Sequence, residues 1–200
     1  MTLTLLVCLA FFVGVYIYGY FFVAGSAYSG KSSRYSDGVF SVNEVPLREK
    51  SSSDFFKWTF GNDIRVPWTE AYSHETAALD TSPISKARVT FINHATTLIE
   101  TPSLMILTDP HFSERASPLS FLGPKRYHDP YIPLTAIKKV DVVLISHCHY
   151  DHLSIESLKE IEARFSPQYI VPLNNGQFLA RAGIPPERIT ELDIGEMKTL

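Results

Sequence analysis

Two hundred residues leave room for one ordinary domain, and a hydrophobic share of 45% is enough to give that domain a core. The formal net charge of -3 is spread without a basic block, which excludes nucleic acid as a partner. Two cysteines cannot build a disulfide scaffold: Cys8 lies in an apolar run and Cys148 in a histidine-rich motif, so the two are not expected to pair.

From Leu3 to Ala27 there is no charged residue. As a helix that run would reach roughly 37 Å, against roughly 30 Å of bilayer hydrocarbon, so residues 1–28 are expected to form a single-pass transmembrane anchor. Tyr16, Tyr18, Tyr20 and Tyr28 suit an interfacial belt at its later end. A cleaved signal peptide competes, since Gly25 and Ala27 are small, but a basic n-region is missing and the apolar part is too long. Lys31 and Arg34 follow the run and no basic side chain precedes it, which places the rest of the chain, catalytic part included, in the cytoplasm.

Residues 29–87 are rich in Ser, Pro and charge and read as an extended arm with aromatic islands at Phe55, Phe56, Trp58, Phe60 and Trp68. Regular structure is expected from Arg88 onward. Val89–Ile92, Thr97–Glu100 and Leu104–Thr108 are β-rich runs joined by Asn93-His94-Ala95 and Thr101-Pro102-Ser103, a meander of adjacent strands. Residues 110–136 form a long proline-bearing loop. The apolar run Val140–Ile145 is a buried strand. Ser154 caps a helix that runs to about Phe165, Tyr169–Pro172 is another strand, Gly176–Ala182 a short helix ended by Gly183, and Arg188–Leu192 a further strand. The alternation makes residues 88–200 an α/β domain.

The strand ending at Ile145 opens into Ser146-His147-Cys148-His149-Tyr150-Asp151-His152-Leu153. Three imidazoles and a carboxylate so close together ask for a metal ion. His147 and His149, at spacing i and i+2, can grip one ion from an extended turn, while Asp151 and His152 fall on the next bend. Four ligands from one segment do not converge easily on one tetrahedral ion, so a binuclear centre is expected, with zinc first and iron or manganese left open by the ligand type. An alternating turn sends Cys148 away from the ions, as a small buried residue.

The motif HCHYDH behind VDVVLIS resembles the HxHxDH signature of the metallo-β-lactamase superfamily. Phe91–Ile99, Leu107–Pro110, Glu114–Pro118, Gly123–Arg126 and Ser146–Leu153 are similar, in order, to the branch of N-acylphosphatidylethanolamine-hydrolysing phospholipase D and its bacterial relatives, and Tyr35–Asn43 resembles the start of the bacterial members. The resemblance implies an αββα sandwich, with His147 and His149 on the first of two zinc ions and Asp151 and His152 on the second. It places His94 and Asp109 beside the metals as substrate-facing or orienting groups, which with Asp151 make up the catalytic candidates. Asn93 stands where the family usually has glycine, and asparagine tolerates a positive φ. The implied function is a zinc-dependent, phospholipase D-type phosphodiesterase that attacks a membrane phospholipid through a metal-bridging hydroxide. A lactonase or other metallo-hydrolase is the runner-up.

No histidine follows His152, whereas the family takes further ligands from downstream segments. Asp193, Glu191 and Glu196 fall at an ordinary strand end. Residues 88–200 are therefore expected to be the N-terminal half of the sandwich, with its inner sheet face open, in a chain truncated from a longer enzyme or kept as a non-catalytic membrane-anchored remnant.

Overall fold

A computed structural model describes residues 2–18, 25–36, 38–41, 51, 53, 54, 57 and 75–200. The aromatic islands expected at Phe55, Phe56, Trp58, Phe60 and Trp68 lie outside the described residues.

The first helix, α1, spans Thr2–Tyr18. Its 17 residues would extend only about 26 Å. Among the described residues no helix is long and apolar enough to cross a membrane, so they do not support the expected transmembrane anchor; residues 19–24 of that run lie outside the described set. Two short strands, β1 (Tyr35–Ser36) and β2 (Val39–Phe40), form a hairpin around Gly38, whose φ of 84° supplies the left-handed turn. Tyr28, Tyr35 and Phe40 stack their rings beside it at 4.8–5.0 Å. This segment lies against the far end of the domain, where Ser32 Oγ donates to Asp193 and Asn174 Nδ2 donates to the carbonyl of Ser26.

The domain is built on one six-stranded sheet in sequential order, β3 (Arg88–Asn93), β4 (Thr96–Glu100), β5 (Met105–Thr108), β6 (Val142–Leu144), β7 (Gln168–Pro172) and β8 (Ile189–Leu192). The first three pair antiparallel, as the short connections require, and Thr101 Oγ1 closes the second turn by accepting from Leu104 N at 2.9 Å. From β5 onward the pairing is parallel, with register Leu107↔Val143↔Tyr169↔Ile189, so each step needs a crossover. The helices α2 (Ile155–Phe165) and α3 (Gly176–Arg181) supply two of them and the long loop 109–141 the third.

Alternation along the strands decides which face is buried. Leu98, Leu107, Val143 and Tyr169 share one face with Ile92 and Val171, and on it pack Leu158 and Ile161 of α2, Leu179 of α3, and Ile132, Leu134 and Ile137 of the long loop. Burial of each such side chain contributes about 1.5–3 kcal/mol. At the rim Glu100 is only 4% exposed, and its charge is met by a two-point clamp from Arg88, Nε and Nη2 at 2.8 and 2.9 Å. On the other face, among the described residues, Val89 and Phe91 are exposed, Ile99, Ile106, Leu144 and Ile170 are half-buried, and Val142 is buried.

Candidate metal centre

Three turns meet at the carboxyl edge of the parallel strands, where open α/β sheets place their ligands. After β6, Ile145 N still donates to Ile170 O, and the histidine motif then leaves the sheet. His152 N and Leu153 N both donate to His149 O, at 2.9 and 2.7 Å, which folds Asp151 and His152 back toward His147. Leu153 is buried and pins the end of the turn, and Ser154 begins α2 directly by accepting from Ser157 N. The second turn follows β5, where Asp109 adopts φ 36° and its N–H continues the ladder to Leu144 O. The third is the β3–β4 turn, with His94 at φ 47°.

Asp109 is the hub. Its buried carboxylate accepts from Ser146 N at 2.7 Å, Ser146 Oγ at 2.6 Å and His152 Nδ1 at 2.9 Å. Because the Ser146 hydroxyl donates to Asp109, its oxygen accepts from His147 Nδ1, 2.9 Å away. One carboxylate thus fixes two imidazoles in the tautomer that leaves Nε2 as a lone-pair donor, one directly and one through a serine. His147 Nε2 lies 3.0 Å from His149 Nδ1. Asp151 Oδ2 lies 3.0 Å from His94 Nε2 and 3.6 Å from His152 Nε2.

The electrostatics favour the ligating forms of His147 and Asp151. Burial, then the neighbouring His152 and His149, push the His147 pKa below its ordinary value and keep the ring neutral. For Asp151 burial works upward, but its own backbone N–H and the nearby His152 and His94 outweigh it, holding the carboxyl below the usual range and ionised. Imidazoles and a carboxylate gathered in this way are a donor set that suits a borderline divalent ion.

Beside these groups opens a cleft of about 630 Å³, lined by His94, His111, Lys125, Arg126, Cys148 and Asp151 among others. Arg126 is tied to its wall through Nη1, which donates to Phe112 O at 2.7 Å, and through an ion pair with Asp129. Lys125 pairs with Glu114 at 2.6 Å.

All six candidate residues, His94, Asp109, His147, His149, Asp151 and His152, are brought to this edge. Two expectations are corrected. Asn93 does not take the positive φ, which falls instead on His94; Asn93 is buried and its Nδ2 donates to His111 O. Cys148 is exposed rather than buried, because the motif is a turn over the cleft and not a continued strand. Glu191 and Asp193, read from the sequence as part of an ordinary strand end, are engaged outside this site, Glu191 by Gly176 N and Asp193 by Ser32. Two contributors carried no sequence signal of their own. Ser146 is legible only as the residue before the motif, and His111, buried two positions after Asp109, lies just past the Leu107–Pro110 segment.

Residues 105–200 match the Beta-lactamase superfamily domain. An uncharacterized protein of Mycobacterium tuberculosis is 34% identical over 179 residues, covering 84% of this chain and 46% of that protein. N-acyl-phosphatidylethanolamine-hydrolyzing phospholipase D 1 of Caenorhabditis elegans is 32% identical over 164 residues, 80% of this chain and 44% of that protein. The mitochondrial N-acyl-phosphatidylethanolamine-hydrolyzing phospholipase D of Saccharomyces cerevisiae is 40% identical over 80 residues, 40% of this chain and 17% of that protein. The chain spans less than half the length of these relatives. With the histidine motif at the end of β6, the aspartate at the end of β5 and these matches, residues 105–200 are a domain of the metallo-β-lactamase superfamily.

Proposed function

We propose that this edge of the sheet is the metal-binding arm of a zinc-dependent phosphodiesterase of the phospholipase D type, acting on N-acylphosphatidylethanolamine-like lipids. The observation that carries the reading is the Asp109 hub, which presets two histidines of the HxHxDH motif as Nε2 donors. His147 and His149 would hold one ion, Asp151 and His152 a second. When bound, zinc supplies Lewis acidity and a water acidic enough to ionise at a pH of about 7. The chain's own residues do the rest. Asp109 and Ser146 hold the two rings in register, and Lys125 and Arg126 place positive charge on the cleft wall, where an anionic phosphodiester would lie. Hydrolysis adds the water oxygen to phosphorus, breaks the phosphorus–oxygen bond to the N-acylethanolamine, and returns a proton to that leaving oxygen. The choice of lipid rests on the two phospholipases among the relatives.

The test is a substrate panel on zinc-loaded protein, with N-acylphosphatidylethanolamine set against simple lactones. The expected result is zinc-dependent release of N-acylethanolamine and phosphatidate, lost in His149→Ala and Asp151→Ala. Lactone opening without phosphodiester cleavage would assign a different hydrolase.

A further inference from the structure

His94 lies outside the HxHxDH motif, yet the fold spends several hydrogen bonds on holding it beside that motif. Its φ of 47° is in the left-handed region, which a non-glycine residue keeps only if its surroundings hold it. They do. Thr108 Oγ1 donates to Ala95 O at 2.9 Å, Thr96 Oγ1 donates to Asp109 O at 2.8 Å and accepts from His111 N at 3.0 Å, so the His94 turn is fastened to the Asp109 turn. The result is an imidazole with Nε2 3.0 Å from Asp151 Oδ2 and its ring centre 5.0 Å from that of His152. His152 Nε2 is 3.6 Å from the same carboxylate oxygen, and its Nδ1 is already taken by Asp109. One donor atom from each of His94, Asp151 and His152 lies within 4.8 Å of the other two. Two ligands on one tetrahedral zinc, at bonds of 2.0–2.2 Å, stand about 3.4 Å apart. The two distances to Asp151 Oδ2 bracket that value.

We propose that His94 is a direct metal ligand, completing with Asp151 and His152 a two-histidine, one-carboxylate site for a divalent ion that needs neither His147 nor His149. The inference rests on the metal-centre reading above and extends it to a residue outside the motif. Two imidazoles and one carboxylate are a sufficient set for zinc or ferrous iron with positions left open.

Zinc titration with metal analysis, and the visible absorption of the cobalt-loaded protein, test it in two variants: His147→Ala/His149→Ala, and the same pair with His94→Asn added. Asparagine tolerates the left-handed region, so the turn is kept, and circular dichroism of the metal-free proteins checks the fold. The expected result is one zinc per chain in the double variant, weakened more than about 100-fold by His94→Asn, beyond the about 10–100-fold that loss of a merely orienting partner costs. The cobalt spectrum should change with it. A weakening of about 100-fold or less, an unchanged spectrum, or a double variant that binds no zinc would overturn the proposal. Failure of the metal-centre reading itself is distinguishable, because the unsubstituted chain would then bind no ion.

Discussion

Asp109 Oδ2 stands 2.9 Å from His152 Nδ1, and the same oxygen accepts the Ser146 hydroxyl at 2.6 Å. Replacing it by asparagine keeps the shape but removes the charge, and the amide, with one acceptor atom in place of two, can no longer serve both Ser146 N at one position and the Ser146 hydroxyl and His152 Nδ1 at the other. Asp109→Asn should therefore weaken zinc about 10–100-fold while leaving the fold in place. Ser146→Ala, which cuts only the link to His147, should have a smaller effect in the same direction. Calorimetric zinc titration of both variants checks this; an Asp109→Asn chain with unaltered affinity would mean that the hydrogen bonds do not orient the ligands.

A second expectation separates neighbours in sequence. His149 Nδ1 faces His147 Nε2 at 3.0 Å, whereas Cys148 is exposed on the cleft wall. His149→Ala should abolish binding of the ion held by that pair, and Cys148→Asn should leave zinc content and stability within about 0.5 kcal/mol, as for most exposed positions. Metal analysis of the two purified variants decides it. Zinc lost from Cys148→Asn would make the thiolate a ligand.

The site was more legible in the sequence than its geometry. The spacing of His147, His149, Asp151 and His152, and their place after an apolar strand, are local properties, and the structure puts them at the end of β6 accordingly. The strands and the Ser154 cap were also local, read from β-branched runs and a serine before an amphipathic segment. What only the family resemblance supplied, and no local window could, depends on tertiary register. The hub at Asp109 needs β5 and β6 parallel and aligned Thr108↔Leu144, and the placement of His94 needs the β3–β4 turn to bend over the same edge. Neither pairing is written in a window of a few residues. The exposure of Cys148 failed for a similar reason: strict alternation holds within a strand, and the strand had already ended at Leu144.

Stability should respond to acid through His111. Its ring is buried, and burial pushes its pKa below the ordinary value. The unfolded chain takes up that proton near pH 6.5, as a free histidine does at about that value, and the folded chain only at lower pH. Between the two the unfolded state binds more protons, so this contribution is full above about pH 6.5 and is lost as pH falls through the lower folded pKa. His147, also lowered, adds a loss of the same sign. Denaturant unfolding of the metal-free chain across this range should show the decline, and His111→Gln should flatten part of it. An equally steep decline in His111→Gln would clear His111 of the effect.

The start of α2 couples helix stability to the site. Ser154 is buried, and its Oγ accepts from Ser157 N at 3.2 Å and Ser157 Oγ at 3.0 Å and shares a hydrogen bond with Ser113 Oγ at 2.9 Å. Ser157 Oγ in turn accepts from Phe112 N at 2.8 Å, so the cap is also the tie between the motif and the loop that follows Asp109. Ser154→Ala removes the cap, at a cost of about 1 kcal/mol within a range of about 0.5–2, and leaves Ser113 without that partner. The midpoint of thermal unfolding should drop by about 2–4 °C for each kcal/mol lost. Ser154→Asp keeps an acceptor for Ser157 N and a negative charge at the positive helix end, so it should recover most of the stability. Thermal melts of the three proteins measure this directly, and an aspartate variant no more stable than the alanine one would show that the loop tie, not the helix cap, is what Ser154 contributes.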